Sequence, residues 1–186
     1  MPTFPDPVLQ ASQELTITVL VSEDAPRLVD VFDDRELRRW LPLPSPYTRE
    51  MAVRWCTTTS QELRSSGRGF VMGVRTGGTL AGSIDAKRVD WRAQTAELSY
   101  WTAADHRGRG IMPLAVRRVA KWMLADLCFE RVELRIAPAN TASIRVAEKA
   151  GFRREGVARN AGFTESGRVD LVIFSLIRID LDDARA

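Results

Sequence analysis

The amino-acid sequence predicts an α/β fold with a mixed, mostly antiparallel sheet of about seven strands and about four helices. The first observation behind this prediction is the order of the segments: a strand, two helices, three strands, a helix, a strand, a helix and two strands. The second is that one long amphipathic helix joins the strands at 97–101 and 131–137, as a parallel pair requires. We therefore expect one parallel pair in an otherwise antiparallel sheet.

The first third of the chain is expected to form one strand followed by two helices. The stretch ELTITVLV, at 14–21, is rich in β-branched residues and predicts the strand. The sequence SEDAP is typical of a helix start, so the first helix is expected at 22–38. Prolines interrupt LPLPSPYT, and the second helix is expected at 48–63.

A β-hairpin is predicted in the middle of the chain, with strands at 69–75 and 79–89. Gly77 and Gly78 lie between these strands and supply the positive φ angles that a two-residue turn needs. A further turn leads to a strand at 95–101, so three strands follow one another in antiparallel order.

The long helix after these strands is amphipathic, and we expect its apolar face to cover the sheet. That face carries Ile111, Ala115, Val119 and Trp122. The remaining predicted elements are a strand at 131–137, a helix at 140–150 and two strands at 152–159 and 168–178.

Length and composition indicate one globular domain at 14–180, between an irregular arm at 1–13 and a tail at 181–186. The 27 basic and 24 acidic residues are mixed along the chain, which argues against a nucleic-acid partner. Cys56 and Cys128 match no metal-ligand spacing, so neither a metal nor a disulfide framework is expected. Without a signal-peptide pattern or a long apolar run, we expect a cytoplasmic protein with no membrane partner.

The segment ELSYWTAADHRGRGIMPLAV contains a strand, a glycine-containing loop and a helix N-terminus in succession. Gly108 and Gly110 allow a tight turn with no side chain in the way, so backbone N–H groups and the helix dipole favour phosphate oxygens. Arg107 and Arg109 add positive charge, and Ile111 begins the helix. An ordinary glycine turn fits the same residues, because they match neither G-x-G-x-x-G nor a P-loop.

A second segment, IAPANTASIRVAEKAGFRREG, begins where the strand at 131–137 ends. Asn140 is a good N-cap for the short helix, and Gly151 is suited to the position after its end. Phe152 is placed to pack back on the helix. These features alone are explained by helix capping.

Together, the two segments resemble the GNAT superfamily of N-acetyltransferases, and the resemblance covers residues 14–178. DHRGRGI is similar to the family's pyrophosphate-binding motif. The pattern N-x-x-S-x-x-V-A-E-K-A-G-F followed by Glu155-Gly156 is similar to the branch that acetylates protein N-termini, including those of ribosomal proteins. One departure is Asp105, at a motif position that is commonly Gln or Arg in the family.

The resemblance implies that strands 4 and 5 splay apart and admit the pantetheine arm of acetyl-CoA as an additional strand. It implies that the backbone of Tyr100, Trp101 and Thr102 binds this arm and that the loop from Arg107 to Ile111 binds the diphosphate. Asn140 and Ser143 are expected at the pantetheine or thiolate end. Acetyl-CoA is the implied cosubstrate, and no metal is needed.

Glu97 is the candidate general base. Attack on a thioester requires a neutral amine, and an α-amino group with a pKa near 8 is roughly a tenth neutral at pH 7. Glu97 alternates with Ser99 and Trp101 on one strand face, near the expected thioester, and can act directly or through a water. A solvated carboxylate on the sheet fits the same pattern.

Ser143 is the candidate for assisting the departing thiolate. Many family members have a tyrosine seven residues after the asparagine, but this position is Ala147 here. The resemblance implies that Ser143, one helical turn after Asn140, takes the place of that tyrosine. A small serine that only packs within the helix is the alternative.

Aromatic residues of the region from the first to the second helix, and of the fourth strand, are expected to wall the acceptor cleft: Trp40, Tyr47, Trp55 and Trp101. Aromatic residues are also common in cores, so packing is an alternative explanation. The acidic residues Asp33, Asp34 and Glu36 fit either an attraction for a cationic acceptor or a solvated helix end.

Three functions are compatible with these residues. The main hypothesis is an acetyl-CoA-dependent N-acetyltransferase that acts on a protein or peptide α-amino group. The second keeps this chemistry but transfers the acetyl group to a small amine, such as an antibiotic or a polyamine. The third is a non-catalytic acyl-CoA-binding module. The expected partners are acetyl-CoA and an amine acceptor, and the protein is expected to be a monomer or a homodimer.

Overall fold

The computed structural model describes residues 2–181, which form one open sheet of eight strands with helices on both faces. The strands are β1 (Leu9–Gln10), β2 (Leu15–Val19), β3 (Phe70–Thr76), β4 (Thr79–Asp90), β5 (Thr95–Thr102), β6 (Arg131–Ile136), β7 (Arg153–Thr164) and β8 (Gly167–Ile177). The helices are α1 (Ala25–Phe32), α2 (Arg35–Trp40), α3 (Arg49–Arg54), α4 (Ser60–Ser65), α5 (Ile111–Ala125) and α6 (Thr141–Lys149). None of the helices within residues 2–181 has the length and apolar character needed to cross a membrane.

The strand order is β1-β2-β3-β4-β5-β6-β8-β7, and only β5 and β6 are parallel neighbours. The predicted fold class is therefore confirmed, including the crossover through α5. All seven predicted strands are present, and β1 is an additional one.

The parallel pair opens along its length. β5 and β6 pair from Thr95–Arg131 to Leu98–Leu134, and β5 then continues to Thr102 without a partner on this side. This opening is the splay predicted between the fourth and fifth strands of the sequence analysis, which are β5 and β6 in the structure. It exposes backbone N–H and C=O groups of β5 within the sheet.

The predicted hairpin between β3 and β4 is confirmed. Gly77 and Gly78 have φ angles of 55° and 82° and connect Thr76 to Thr79. Both φ angles are positive, which is the requirement of the turn that suits twisted antiparallel strands.

The first predicted helix is divided, which corrects the prediction of one helix at 22–38. Asp34 has an extended backbone, with ψ of 118°, and its side chain accepts a hydrogen bond from Glu36 N. This bond caps the start of α2, because a short carboxylate competes well for the free N–H groups of a helix start. The second predicted helix is continuous, since α3 passes into α4 through a π-helical segment at Trp55–Thr59.

The N-terminal segment packs against the sheet, although residues 2–8 have no regular secondary structure, as expected of an irregular arm. Phe4 and Leu9 are buried, and β1 pairs with β2. The Phe4 ring lies 5.1 Å from Phe70 and 4.9 Å from Trp91, measured between ring centroids. Burial of these apolar side chains against the sheet offsets the backbone entropy lost by a segment with little hydrogen bonding.

The sheet has a different cover on each face. Helices α5 and α6 and the N-terminal residues pack on one face and form the larger core. Helices α1 to α3 pack on the opposite face, over residues of β3 and β4 and over Trp101 of β5. On this second face β6 carries the partly exposed charged residues Arg131, Glu133 and Arg135.

Candidate active site

The loop between β5 and α5 turns tightly and leaves open space beside its backbone. Gly108 and Gly110 have φ angles of 76° and 73°, a conformation that L-residues rarely adopt. A Cβ atom at either position would meet nothing within 4 Å, so the space beside the backbone is open. Gly110 also directly precedes α5, whose 15 residues direct the positive end of the helix dipole at this space.

Two ion pairs connect this loop to the α1–α2 region. Arg107 pairs with Asp34, and its Nε also donates to the Thr102 carbonyl at 3.2 Å. Arg27 contacts both carboxylate oxygens of Asp105 at 2.7 Å. The departure from the family motif at Asp105 is thus explained by an anchor between the loop and α1.

The electrostatic surroundings of Asp105 favour its charged form. The adjacent His106 ring and the Arg27 guanidinium hold the pKa of Asp105 at about 2. The carboxylate therefore stays ionised, and the anchor to Arg27 persists, at any pH near neutrality. Arg109 is exposed at the tip of the same loop.

The opening of the sheet brings together Tyr100, Asn140 and Ser143. Ser143 Oγ donates to the Tyr100 hydroxyl at 2.9 Å, and that hydroxyl donates to the Ser143 carbonyl at 2.9 Å. Asn140 Oδ1 accepts from Ser143 N at 3.1 Å and caps α6. Burial raises the pKa of Tyr100, so its phenol stays protonated. Ala147, at the position where many family members have a tyrosine, is fully buried. The phenol beside Ser143 in this protein is that of Tyr100.

Glu97 lies on the opposite face of β5 and is surrounded by cations. Its carboxylate lies 3.3 Å from Lys87 Nζ, 3.3 Å from Arg88 Nε and 3.5 Å from Arg135 Nε. The side chain is 7% exposed, so Glu97 is not the solvated carboxylate of the alternative explanation. Its backbone lies opposite that of Glu133 in the closed part of the β5–β6 pair, two residues before Ser99, where the opening begins.

Asp85 on β4 is a second carboxylate near the opening, and the sequence did not predict it as a site residue. It faces Ser99, whose hydroxyl donates to it at 2.5 Å, and Ser99 is the first residue of β5 beyond the closed pairing. Burial raises the pKa of Asp85 above its usual range. The register of the β4–β5 pair, which places Asp85 beside Ser99 and Lys87 beside Glu97, is the signal that reveals it.

The structure separates the predicted aromatic residues into two groups. Trp101 and Tyr47 both pack edge-to-face with Phe32, with ring centroids 5.3 Å and 4.8 Å from it. Burial raises the pKa of Tyr47 to about 12. Trp55 packs against the same core. Trp40 lies apart on α2, where its Nε1 donates to Glu36.

A cavity of about 750 Å³ lies between the start of α2 and the turn that joins β7 to β8. Its lining is entirely polar or charged and consists of Asp34, Arg35, Glu36, Arg39, Glu165 and Ser166. Asp34 therefore touches both this cavity and, through Arg107, the glycine loop. Among residues 2–181 no group of three or more His, Cys, Asp or Glu residues is arranged to hold a metal ion.

Comparison with known sequences adds to this geometry. The family described as "Acetyltransferase (GNAT) domain" matches residues 14–153, which include the glycine loop, the opened strand pair and α6. The chain belongs to the GNAT acetyltransferase family. It is an acetyl-CoA-dependent N-acetyltransferase, as the resemblance implied, and acetyl-CoA is its cosubstrate.

Several relatives of this GNAT enzyme bear names that refer to ribosomal proteins. A Bacillus subtilis (strain 168) protein named "Putative ribosomal N-acetyltransferase YdaF" is 28% identical over 176 residues, which are 91% of this chain and 94% of YdaF. The "Ribosomal-protein-serine acetyltransferase" of Escherichia coli (strain K12) is 28% identical over 98 residues, 53% of this chain and 55% of the relative. The predicted similarity to this branch is confirmed.

Solved structures confirm the GNAT fold. The ribosomal L7/L12 α-N-protein acetyltransferase RimL, in complex with coenzyme A, superposes with a TM-score of 0.84 at 18% identity. The superposition covers 92% of this chain and 98% of RimL. At this identity the likeness shows the shared fold.

Proposed function

We propose that this GNAT enzyme acetylates the α-amino group of a protein or peptide N-terminus, by direct attack in a ternary complex. The observation that carries the proposal is the opened β5–β6 pair, with the glycine loop at one end and the Tyr100–Ser143 pair beside it. Similarity to YdaF along nearly the whole chain supports the acceptor class. We further propose that the enzyme works in the cytoplasm as a monomer or homodimer.

The cosubstrate site is proposed from residues that fit its parts. The backbone at Gly108 and Gly110 borders open space, so the N–H groups of the loop up to Ile111 suit a diphosphate, with charge from Arg107 and Arg109. The free edge of β5 at Tyr100, Trp101 and Thr102 suits the amide groups of pantetheine. Asn140 and Ser143 lie across the opening from this edge, where the thiol end belongs.

Acetyl-CoA supplies an activated acetyl thioester. The protein must admit a neutral amine, accept the proton that the nitrogen loses, and stabilise the sulfur that leaves. A carbon–nitrogen bond forms as the carbon–sulfur bond breaks, and the electron pair of the broken bond remains on sulfur. We propose that the Ser143 hydroxyl, which donates to Tyr100 in the free protein, turns and donates its one proton in a hydrogen bond to this sulfur. The sulfur finally takes up the proton that the amine released.

Glu97 remains the proposed base, and Asp85 is the competing candidate. Three cations lie within 3.5 Å of the Glu97 carboxylate and occupy its oxygens. The carboxylate of Asp85 faces Ser99, and burial raises the pKa of Asp85. Glu97→Gln and Asp85→Asn keep the shape of each side chain. The pH dependence of kcat/KM should lose its acidic limb in one of these variants. A limb retained in both variants contradicts a carboxylate base at either position.

The acceptor class is tested with the purified enzyme and acetyl-CoA. Thiol release is followed with peptides of defined N-termini, with the same peptides blocked at the α-amino group, and with polyamines and aminoglycosides. Mass spectrometry of host peptides then identifies acetylated positions. We expect turnover that requires a free peptide α-amino group. Turnover with small amines alone supports the small-molecule enzyme, and coenzyme binding without turnover on any amine supports the non-catalytic module.

A further inference from the structure

Asp34 contacts both the glycine loop and the polar cavity beside the β7–β8 turn. Its Oδ2 pairs with Arg107 of the glycine loop, and its Oδ1 accepts the hydrogen bond from Glu36 N that starts α2. The same residue lines the polar cavity beside the β7–β8 turn. The Asp34 and Arg107 side chains are 21% and 35% exposed, so water and ligands can reach the pair.

Arg107 has two possible anionic partners. In the free protein its guanidinium is held by Asp34 and by the Thr102 carbonyl. Its backbone directly precedes Gly108, where the open anion-binding loop begins. A diphosphate in that loop carries more negative charge than one carboxylate and competes for the same guanidinium.

The loop does not depend on the Arg107–Asp34 pair for its position. Arg27 and Asp105 form a separate two-point contact at 2.7 Å between α1 and the loop. Gly110 and the first turn of α5 fix the other end. Arg107 can therefore change partners while the backbone of the loop stays in place.

The exchange alters the charge of the cavity. Asp34, Glu36 and Glu165 line it together with Arg35 and Arg39, and Arg107 neutralises Asp34 from the side of the loop. When Arg107 turns away, one carboxylate loses its partner and the lining becomes net negative. A positively charged acceptor segment is then attracted more strongly than before.

We propose that the polar cavity beside the β7–β8 turn receives the acceptor and that Asp34 couples this cavity to the glycine loop. Asp34 holds Arg107 until a diphosphate takes that guanidinium, and its freed carboxylate then favours a cationic acceptor. This inference rests on the proposed function and adds a substrate preference to it. Asp34 acts here as a positioning and specificity residue and does not need to contact the reacting atoms.

The first test is calorimetric binding of coenzyme A to Asp34→Asn. The asparagine keeps the cap of α2, because Asn and Asp are equally good N-caps. Loss of the competing carboxylate should tighten coenzyme A binding about two- to fivefold, the usual range for a partly exposed ion pair. Pantetheine, which lacks the diphosphate, should bind the variant and the wild type equally.

Asp33→Asn is the matched control. Asp33 is the adjacent residue, with 85% side-chain exposure, and it pairs with Arg38 instead of Arg107. This variant removes the same charge and should leave coenzyme A binding unchanged. Arg107→Ala should weaken coenzyme A binding about tenfold and abolish the effect of the Asp34 substitution in the double variant.

The second test measures the acceptor preference. Peptides that differ only by Lys or Glu at the second position should show a lower KM for the Lys peptide with the wild type. Asp34→Asn should lose this preference while kcat stays within about twofold, because the substitution changes attraction and not the reacting groups. A preference retained by the variant overturns the specificity role.

The outcomes also separate this inference from the proposed function. If the wild type fails to bind coenzyme A, the proposed cosubstrate site itself is wrong. If the wild type binds coenzyme A and Asp34→Asn binds it equally or more weakly, the site stands and the exchange of Arg107 is overturned.

Discussion

Removal of the Ser143 hydroxyl should slow the chemical step and leave cosubstrate binding nearly intact. In Ser143→Ala the proposed donor to the leaving sulfur is lost, together with the 2.9 Å hydrogen bond to the Tyr100 hydroxyl. The Asn140 cap is retained, because it binds the backbone N–H of residue 143. The substitution therefore isolates the hydroxyl group.

The expected loss follows from the charge that develops on sulfur. A hydrogen bond to a charged group contributes about 1.5–3 kcal/mol, so kcat should fall about 10- to 150-fold. The folded state loses only a neutral hydrogen bond of about 1 kcal/mol, and the better helix propensity of alanine offsets about half of that. Stability should thus change far less than turnover.

Three measurements separate these effects. Thiol release at saturating substrates gives kcat, calorimetry gives the affinity for coenzyme A, and thermal unfolding gives stability. Ser143→Thr keeps a hydroxyl and should recover most of the lost turnover. Tyr100→Phe removes the phenol that orients Ser143 and should give a smaller decrease in kcat than Ser143→Ala. Wild-type kcat in Ser143→Ala, or a loss confined to coenzyme affinity, refutes the assigned role.

Other parts of the structure give three more predictions. Gly110→Val should weaken coenzyme A binding about tenfold in calorimetry, because a β-branched residue at a φ of 73° costs about 1–2 kcal/mol. Asparagine tolerates this conformation, so the affinity of Gly110→Asn for coenzyme A should stay within about threefold of the wild-type value. Asp24→Ala leaves the Arg75 guanidinium buried without the carboxylate that lies 2.6 Å from it. The free energy of unfolding, measured in urea, should therefore fall by about 3–5 kcal/mol, and a loss below about 1 kcal/mol contradicts a stabilising buried ion pair. Hydrogen bonds from Arg131 and Ser175 hold the pKa of Glu155 at about 2, so its contribution to stability is present above the ordinary glutamate pKa of 4.5 and is lost as the pH falls towards 2. Glu155→Gln should therefore flatten the decrease in stability between about pH 5 and 2, and an unchanged slope speaks against a native ion pair.

Local backbone chemistry explains which parts of the fold could be predicted. Gly77, Gly78, Gly108 and Gly110 all adopt positive φ angles, and glycine is the residue that does so at little cost. The period of the apolar residues on α5 likewise depends only on neighbouring residues. For this reason the hairpin, the tight glycine turn before α5 and the crossover helix could be inferred without the structure.

The residues that the sequence did not reveal depend on contacts between distant segments. Asp85 becomes a candidate only through its register with Ser99, and a shift of one residue would turn it to the other face of the sheet. Arg107 and Asp34 are 73 residues apart in sequence. The burial of Phe4 also requires partners from distant strands, which composition and periodicity do not specify.

The incomplete pairing of β5 and β6 has a consequence for the lifetime of the protein. A ligand that hydrogen-bonds the free edge beyond Leu98 binds the folded chain and not the unfolded one. At a ligand concentration 100 times Kd, such binding adds about 2.7 kcal/mol to the free energy of unfolding. We therefore expect the resistance of the protein to heat and proteases to rise with the acetyl-CoA concentration.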